Sequence, residues 1–192
     1  MAEIRAVVLV EGESDELALR TLAARRGRDL DAEGVAVVAT GGATSIGRYV
    51  RLYRSAWMNV AISGLCDVGE EPSVRRALEH AGLGTDLTRD DMEELGFSVC
   101  DADLEDELIR ALGVPAVERV LAVHGDLRAW RTMQKQPAQQ DVPVERQLRR
   151  FMGTKSGRKA KYAPLLVEAL ELDAIPAPLD AVLARTATRS TA

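Results

Sequence analysis

Four short apolar runs, each followed by a stretch with helical spacing, set the tightest limit on what this chain can fold into. Arg5 to Val10 (RAVVLV) is too short and too β-branched for a helix and reads as a buried strand. Ser14 is placed to cap a helix carrying Leu17, Leu19, Leu22 and Ala23 on its apolar side. Gly34 to Thr40 is a second strand, closed by Gly41-Gly42, and Thr44 or Ser45 opens a helix to about Ser55. Asn59 to Cys66 is a third strand ending at Asp67, with a helix from near Pro72 to about Ala81. Gly96 to Cys100 is a fourth, followed by the acid-led helix DADLEDELIRALG. Strand alternating with helix predicts an α/β fold, a parallel sheet covered on both faces. Such sheets bind their ligands at the carboxyl ends of the strands.

After Gly113 no further strand is predicted. The remainder reads as helices broken at Pro137, Pro143 and Pro176. The expected organisation is an α/β core over residues 1–115 and a helical C-terminal region, 116–192, packed on it.

Composition narrows the class. Of 192 residues, 46% are hydrophobic and 29% charged, which suits an ordinary globular protein and excludes a disordered one. No stretch approaches 18 apolar residues, and the first residues do not read as a signal peptide. Two cysteines, Cys66 and Cys100, make neither a disulfide framework nor a zinc site. A cytoplasmic protein with no membrane partner is expected.

The net charge of −5 hides a division. From Arg146 to Lys161 there are seven bases (Arg146, Arg149, Arg150, Lys155, Arg158, Lys159, Lys161) and no acid. Separated acidic and basic regions suit a protein that holds cations in one place and phosphates in another.

The acids fall where the strands end. Glu11 ends the first strand, with Asp15 four residues on. Asp67 ends the third, with Glu70 and Glu71 after it, and Asp101 ends the fourth, followed by Asp103 and Glu105. Acids are common at helix N-termini for macrodipole reasons alone. Carboxylates after three of four parallel strands also crowd one edge of the sheet, where each resists ionising near the others. A divalent cation removes that conflict, and oxygen donors in this number suit Mg²⁺, Mn²⁺ or Ca²⁺.

These residues carry a resemblance. VVLVEGESDELAL, a Gly-Gly after strand two and an Asp after strand three together resemble a TOPRIM domain over about residues 4 to 110. TOPRIM is the fold shared by topoisomerases, bacterial primases, recombination mediators and the overcoming-lysogenisation-defect (OLD) nucleases. The acid at Asp15, the Asp67–Glu71 spacing, Glu105 within DLEDEL and the late segment GRKAKYAPLLVEAL are most similar to the OLD branch. Two features depart from the family pattern. The usual Asp-x-Asp after strand three is Asp67-Val68-Gly69, so the second Asp is lost, with Glu70 and Glu71 the acids available to replace it. The ATPase domain of OLD proteins has no counterpart, since no G-x4-G-K-[ST] occurs and MGTKSG lacks the first glycine and a preceding strand.

The resemblance implies a metal-dependent nuclease that hydrolyses phosphodiesters, DNA being the expected nucleic acid, with RNA the variant. Glu11, Asp15, Asp67, Glu71 and Glu105 are the expected metal ligands, for Mg²⁺ or Mn²⁺ singly or as a pair, with Ca²⁺ able to bind. Glu11 is also placed in the catalytic group, with Lys159 as the first candidate for charge stabilisation and Lys161 the second. Arg146, Arg149, Arg150, Lys155 and Arg158 are the expected phosphate contacts. Gly41 and Gly42 permit a tight turn and close backbone approach to phosphate. A separate ATPase subunit and a homodimer are the expected protein partners. The alternative is a non-catalytic TOPRIM module that binds nucleic acid or that ATPase. A receiver-like domain would need a lysine after a fifth strand, and none is found. His80 and His124 read as surface residues, Trp57 and Trp130 as packing.

Overall fold

The structure is a computed structural model and describes residues 3–42, 45–56 and 60–187. Thr44, Trp57 and Asn59, to which the sequence assigns a helix start, a packing role and a strand start, lie outside these residues. Among the described residues, four strands form one parallel sheet: β1 (Ala6–Val10), β2 (Val35–Ala39), β3 (Ala61–Asp67) and β4 (Phe97–Cys100), in the order β2-β1-β3-β4. Ala6 pairs with Val35 on one side and Ala61 on the other, and Asp67 pairs with Cys100. The parallel α/β sheet predicted from the apolar runs is therefore the observed one. All carboxyl ends lie at one edge, which delivers Glu11, Gly41, Asp67 and Asp101 there.

Alternation along each strand sorts the side chains into two cores. Val7 and Leu9 face α2 (Ile46–Ala56), α3 (Glu71–His80) and α4 (Arg89–Glu94). Ala6, Val8 and Val10 face the other layer, which includes α1 (Glu13–Arg25) and α5 (Leu104–Leu112). Gly64 lets β3 lie close to its neighbours. A Cβ there would stand 2.7 Å from the Phe97 ring and 2.9 Å from the Leu9 carbonyl oxygen.

The helical region follows as α6 (Val114–Val123), α7 (Leu127–Gln134), a 3-10 turn at Pro137–Gln139, α8 (Val144–Gly153), α9 (Arg158–Ala169) and α10 (Ala177–Arg185). Breaks fall at the predicted Pro137, Pro143 and Pro176, while those between α6 and α7 and between α8 and α9 contain Gly125 and Gly157 and no proline. The region shares a core with the sheet: Trp130, Phe151, Tyr162, Leu166 and Leu179 belong to the same buried cluster as Val8 and Val10. α9 lies along α1, and α10 packs against β3 and β4. Arginines from the end of α1 and the turn after it fasten these helices. Arg25 donates to the Val167 carbonyl at 2.6 Å, Arg28 to those of Leu183 and Thr186, and Arg26 pairs with Asp180. Carbonyls at the C-terminal ends of α9 and α10 thereby gain cationic partners.

Two local expectations are corrected. The N-cap of α1 is Gly12 rather than Ser14, because Asp15 turns back to accept the Gly12 N–H at 3.0 Å. The helix α4 was not anticipated, since its six residues bury only Met92 and leave no apolar period to read. No described helix is long and apolar enough to cross a membrane.

Candidate active site

The site is built on the carboxyl edge of β1, β3 and β4. Glu11 follows β1 directly. Its carbonyl accepts the N–H groups of Gly41 (3.1 Å) and Gly42 (3.2 Å), both at positive φ in the turn after β2. These two amides fix the backbone that presents Glu11. Asp15 lies one helical turn on, and Asp67 sits at the end of β3.

After β4 the sequence offers three acids, and the structure separates them. Asp101 turns outward, 69% exposed, near Arg89 (3.7 Å) and Arg110 (3.6 Å). Asp103 caps α5 by accepting the Asp106 N–H at 2.9 Å and is buried. Glu105, in the first turn, has a side chain only 2% exposed.

Lys159 comes to these acids from α9. Its Nζ donates to Glu105 Oε2 at 2.7 Å and to Asp103 Oδ2 at 3.4 Å. Arg149 on α8 closes on Asp103 Oδ2 at 2.8 Å. Lys161, two residues on, faces away, as residues so spaced on a helix must. Its Nζ reaches the His124 carbonyl and Asp126, each at 3.2 Å, and Tyr162 donates to the same Asp126 at 2.7 Å. Of the two candidate lysines, Lys159 stands among the acids and Lys161 does not.

The electrostatics match a crowded edge. Burial lifts Asp15 to about 7, against the Gly12 hydrogen bond and with help from Glu105 and Glu11. Burial, Glu11, Asp103 and Asp15 lift Asp67 to about 7. Glu11 is raised by burial and then by Glu70, with Lys159 opposing. Burial works against the Lys159 charge, yet Glu105 and Asp103 outweigh it and raise the ammonium's pKa. Six carboxylates, Glu70 included, therefore feel one another, with one ammonium among them.

The acids after β3 divide as well. Glu71 is held by Arg89, with Nη2 at 2.5 Å and Nε at 3.0 Å from Oε2. Glu70 is the acid that acts on Glu11.

The residues fit a hard divalent cation by chemistry. The donors are all carboxylate oxygens, two are protonated far more readily than normal, and the buried Glu105 Oε1 has no partner. Among the described residues, no three such side chains already converge as an ion would need. Lys159 and Arg149 pair instead with Glu105 and Asp103 and supply positive charge at the edge.

The remaining bases spread out. Arg146, Arg150 and Lys155 stand exposed, whereas Arg158 is only 8% exposed. Its guanidinium lies 3.9 Å over the Phe151 ring and donates to the Phe151 carbonyl (2.8 Å) and Thr154 Oγ1 (2.6 Å). The expectation of Arg158 as an exposed phosphate contact gives way to a packed arginine. Sequence reasoning left Asp103 out of the ligand set and missed the Asp103 pairing of Arg149. The Asx cap at the start of α5 was the available signal for Asp103. The two cysteines are buried and free, and burial pushes Cys66 up to about 12. Trp130 is buried, edge-on to Phe151, and its Nε1–H donates to Glu118 at 2.8 Å, while His80 and His124 are exposed.

The sequence profile described as "Overcoming lysogenization defect protein-like, TOPRIM domain" matches residues 4–68. The fold is similar to the C-terminal region of the Burkholderia pseudomallei OLD protein. That match has a TM-score of 0.70 at 21% identity, covering 95% of this chain and 97% of that one. It is also similar to the C-terminal region of the Xanthomonas campestris pv. campestris OLD protein. There the TM-score is 0.66 at 26% identity, covering 97% of this chain and 95% of that one. No curated protein matches the chain.

Proposed function

Because the chain carries a TOPRIM domain of the OLD type, we propose that it is a metal-dependent nuclease whose centre is the acid edge facing Lys159. The observation that carries this reading is the meeting of Glu11, Asp15, Asp67, Asp103 and Glu105 with one ammonium at 2.7 Å from Glu105. TOPRIM domains bind divalent metals in general. Here Glu11, Asp15, Asp67 and Glu105 would hold the cation, Mg²⁺ or Mn²⁺, singly or as a pair. Glu71 joins that set only by leaving Arg89, and Glu70 is the nearer substitute for the missing second Asp. The bound cation supplies an activated water and polarises the phosphoryl oxygens.

The protein's own groups do the rest. The turn at Gly41 and Gly42 fixes Glu11. Lys159, its side chain 42% exposed, can turn from Glu105 to a phosphate oxygen and stabilise the charge that grows there. Arg149 pairs with Asp103 at 2.8 Å and holds α8 against the edge. The exposed Arg146, Arg150 and Lys155 position the backbone of the nucleic acid, DNA before RNA, without reading its sequence. Lys161 serves Asp126 and Tyr162 instead. An ATPase, which accompanies TOPRIM domains in OLD proteins, is the proposed protein partner.

A second reading, a module that binds nucleic acid or the ATPase without cutting, is favoured by one observation. Among the described residues no three acids converge as ligands. Incubation of supercoiled plasmid with Mg²⁺, Mn²⁺ or Ca²⁺, each beside an EDTA control, decides between them. Nicking that requires the metal and disappears in Glu11→Ala supports the nuclease. A chain that binds the metal and never nicks supports the module.

A further inference from the structure

The layer opposite α8 and α9 carries bases of its own. α2 and α3 cover the sheet face that holds Val7 and Leu9, whereas α8 and α9 belong to the core on the other face. α2 reads IGRYVRLYRSA, with three arginines and no acid. Arg48 and Arg51 stand exposed on it, without an ion pair or hydrogen bond among the described residues. On the neighbouring α3, Arg75 is half-buried and equally unpartnered, and the exposed Arg76 donates only to Ser73 Oγ at 3.3 Å. The acids of α3 are engaged elsewhere: Glu71 is held by Arg89, and Glu79 accepts the Leu87 N–H at 3.0 Å. A Cβ on Gly47 would stand 3.1 Å from the Ala77 Cβ and 3.5 Å from Arg51 Nη1. The missing carbon lets α2 lie against α3 and the Arg51 guanidinium lie at their junction, so the bases of the two helices form one patch.

Cations gathered without counter-charges repel one another and create a local positive field. Their place in the fold gives that field a direction. α2 follows the turn after β2, and α3 follows β3, so both helices start at the carboxyl edge. Arg48, Arg51, Arg75 and Arg76 all lie within about 8 Å of those starts, at the helical rise per residue. On the opposite layer, Arg146 and Arg150 stand on α8, whose Arg149 reaches Asp103. The acid edge is thus flanked by bases on both sides of the sheet. A protein partner would want an apolar centre to the α2–α3 patch. Among the described residues of these helices, Leu52 is the one large apolar side chain that is exposed. A row of phosphates needs no such centre.

We infer that the α2–α3 patch is a second nucleic-acid surface, and that a single duplex crosses the acid edge from this patch to α8. Two helical layers astride one sheet stand about 20 Å apart. A duplex covers that span in about six base pairs and is stiff over it, so it can rest phosphates on both flanks at once. A single strand would want exposed aromatic rings to stack on, and Tyr49 and Tyr53 of α2 are packed against the core instead. The bond presented to the acids then has duplex on both sides, so the cut falls inside a duplex rather than at its end. That last consequence rests on the nuclease reading; binding across the edge does not.

Equilibrium binding of a labelled twelve-base-pair DNA duplex over a range of salt, in EDTA so that nothing is cleaved, tests the inference. One chain binds one duplex, more tightly than it binds either single strand. Arg48→Gln with Arg51→Gln weakens that complex about tenfold and flattens its salt dependence by about two. Arg48→Lys with Arg51→Lys keeps most of the affinity, and melting temperatures confirm that both variants fold. Arg146→Gln with Arg150→Gln weakens the same one-to-one complex, and combining the two glutamine pairs multiplies the losses. An unchanged affinity in the α2 glutamine pair overturns the surface and leaves its arginines to an acidic protein. Two duplexes on one chain, or equal affinity for a single strand, overturn the crossing. Plasmid nicking judges the nuclease reading separately: a chain that needs the α2 arginines to bind but never nicks loses that reading alone. One that nicks while the α2 glutamine pair binds normally loses the second surface alone.

Discussion

Lys159 donates to one oxygen of Glu105 at 2.7 Å, and the other oxygen of that buried carboxylate has no partner. The contact joins α9 of the helical region to α5 at the sheet edge. It also sets a competition. The ammonium holds Glu105 as long as nothing more strongly charged enters, and a divalent ion or a phosphate shifts the balance.

Removing the ammonium should expose the cost of the buried acid. Lys159→Met leaves the buried Glu105 without its cationic partner, for a loss of about 1–3 kcal/mol, moderated because the lysine is partly open to water. Adding Glu105→Leu should recover much of it, since a buried ion pair is often replaceable by apolar packing. Urea unfolding in EDTA measures both. A single variant as stable as the parent would mean that the Lys159–Glu105 pair contributes nothing net to stability.

The crowded acids make stability without metal depend on pH in an unusual sense. Asp15 and Asp67 rise from 3.8 to about 7 on folding. The folded form therefore takes up protons that the unfolded chain does not hold between those values. Their contribution is full below about pH 4 and fades as the pH climbs through 7. Asp67→Asn should consequently be more stable than the parent at pH 8, with the advantage shrinking by pH 5. Denaturation at the two pH values gives the comparison, and an equal advantage at both contradicts the burial of a charged Asp67.

Metal should relieve the same crowding. Mn²⁺ at a hundredfold excess over its dissociation constant is expected to stabilise the intact chain by about 2.7 kcal/mol. Glu11→Gln and Asp67→Asn should lose this protection. Glu71→Gln should keep most of it, because Arg89 already occupies that carboxylate, while Glu70→Gln should weaken it through Glu11. Thermal shift against metal concentration orders the four variants. Glu71→Gln falling with the first two would show that Arg89 releases Glu71.

The sheet has its own test. Gly64→Ala places a methyl against the Phe97 ring and the Leu9 carbonyl, in a layer that cannot open without moving β1. A loss of ~1–3 kcal/mol is expected from overpacking, read as a lower urea midpoint. A neutral outcome would mean that Phe97 has room to turn aside.

What the sequence could and could not disclose follows from the range of the forces involved. Val7 and Val8 face opposite cores because strand geometry alternates every residue, and Glu11 and Asp67 follow because parallel strands share one end. Those rules are local and visible in the letters. Which of Asp101, Asp103 and Glu105 turns inward is not local. It depends on the α5 cap and on the Asp101 N–H donating to Glu107. Lys159 and Lys161 looked alike in sequence because both precede the same apolar stripe. The docking of α9 along α1 separates them. Arg158 lies in a basic run, yet its fate was decided by Phe151, seven residues earlier and on another helix.

The helical region's docking along α1 has a consequence for the order of events in the cell. Synthesis proceeds from the amino terminus, so every acid from Glu11 to Glu105 leaves the ribosome before Lys159 has been made. A nascent chain thus carries a set of mutually repelling carboxylates with no ammonium among them. The edge gains its cation only when α9 lies down beside α1. The paired edge is in this sense a late product of translation, and a truncated chain lacking α9 would display the acids without the ammonium that tempers them.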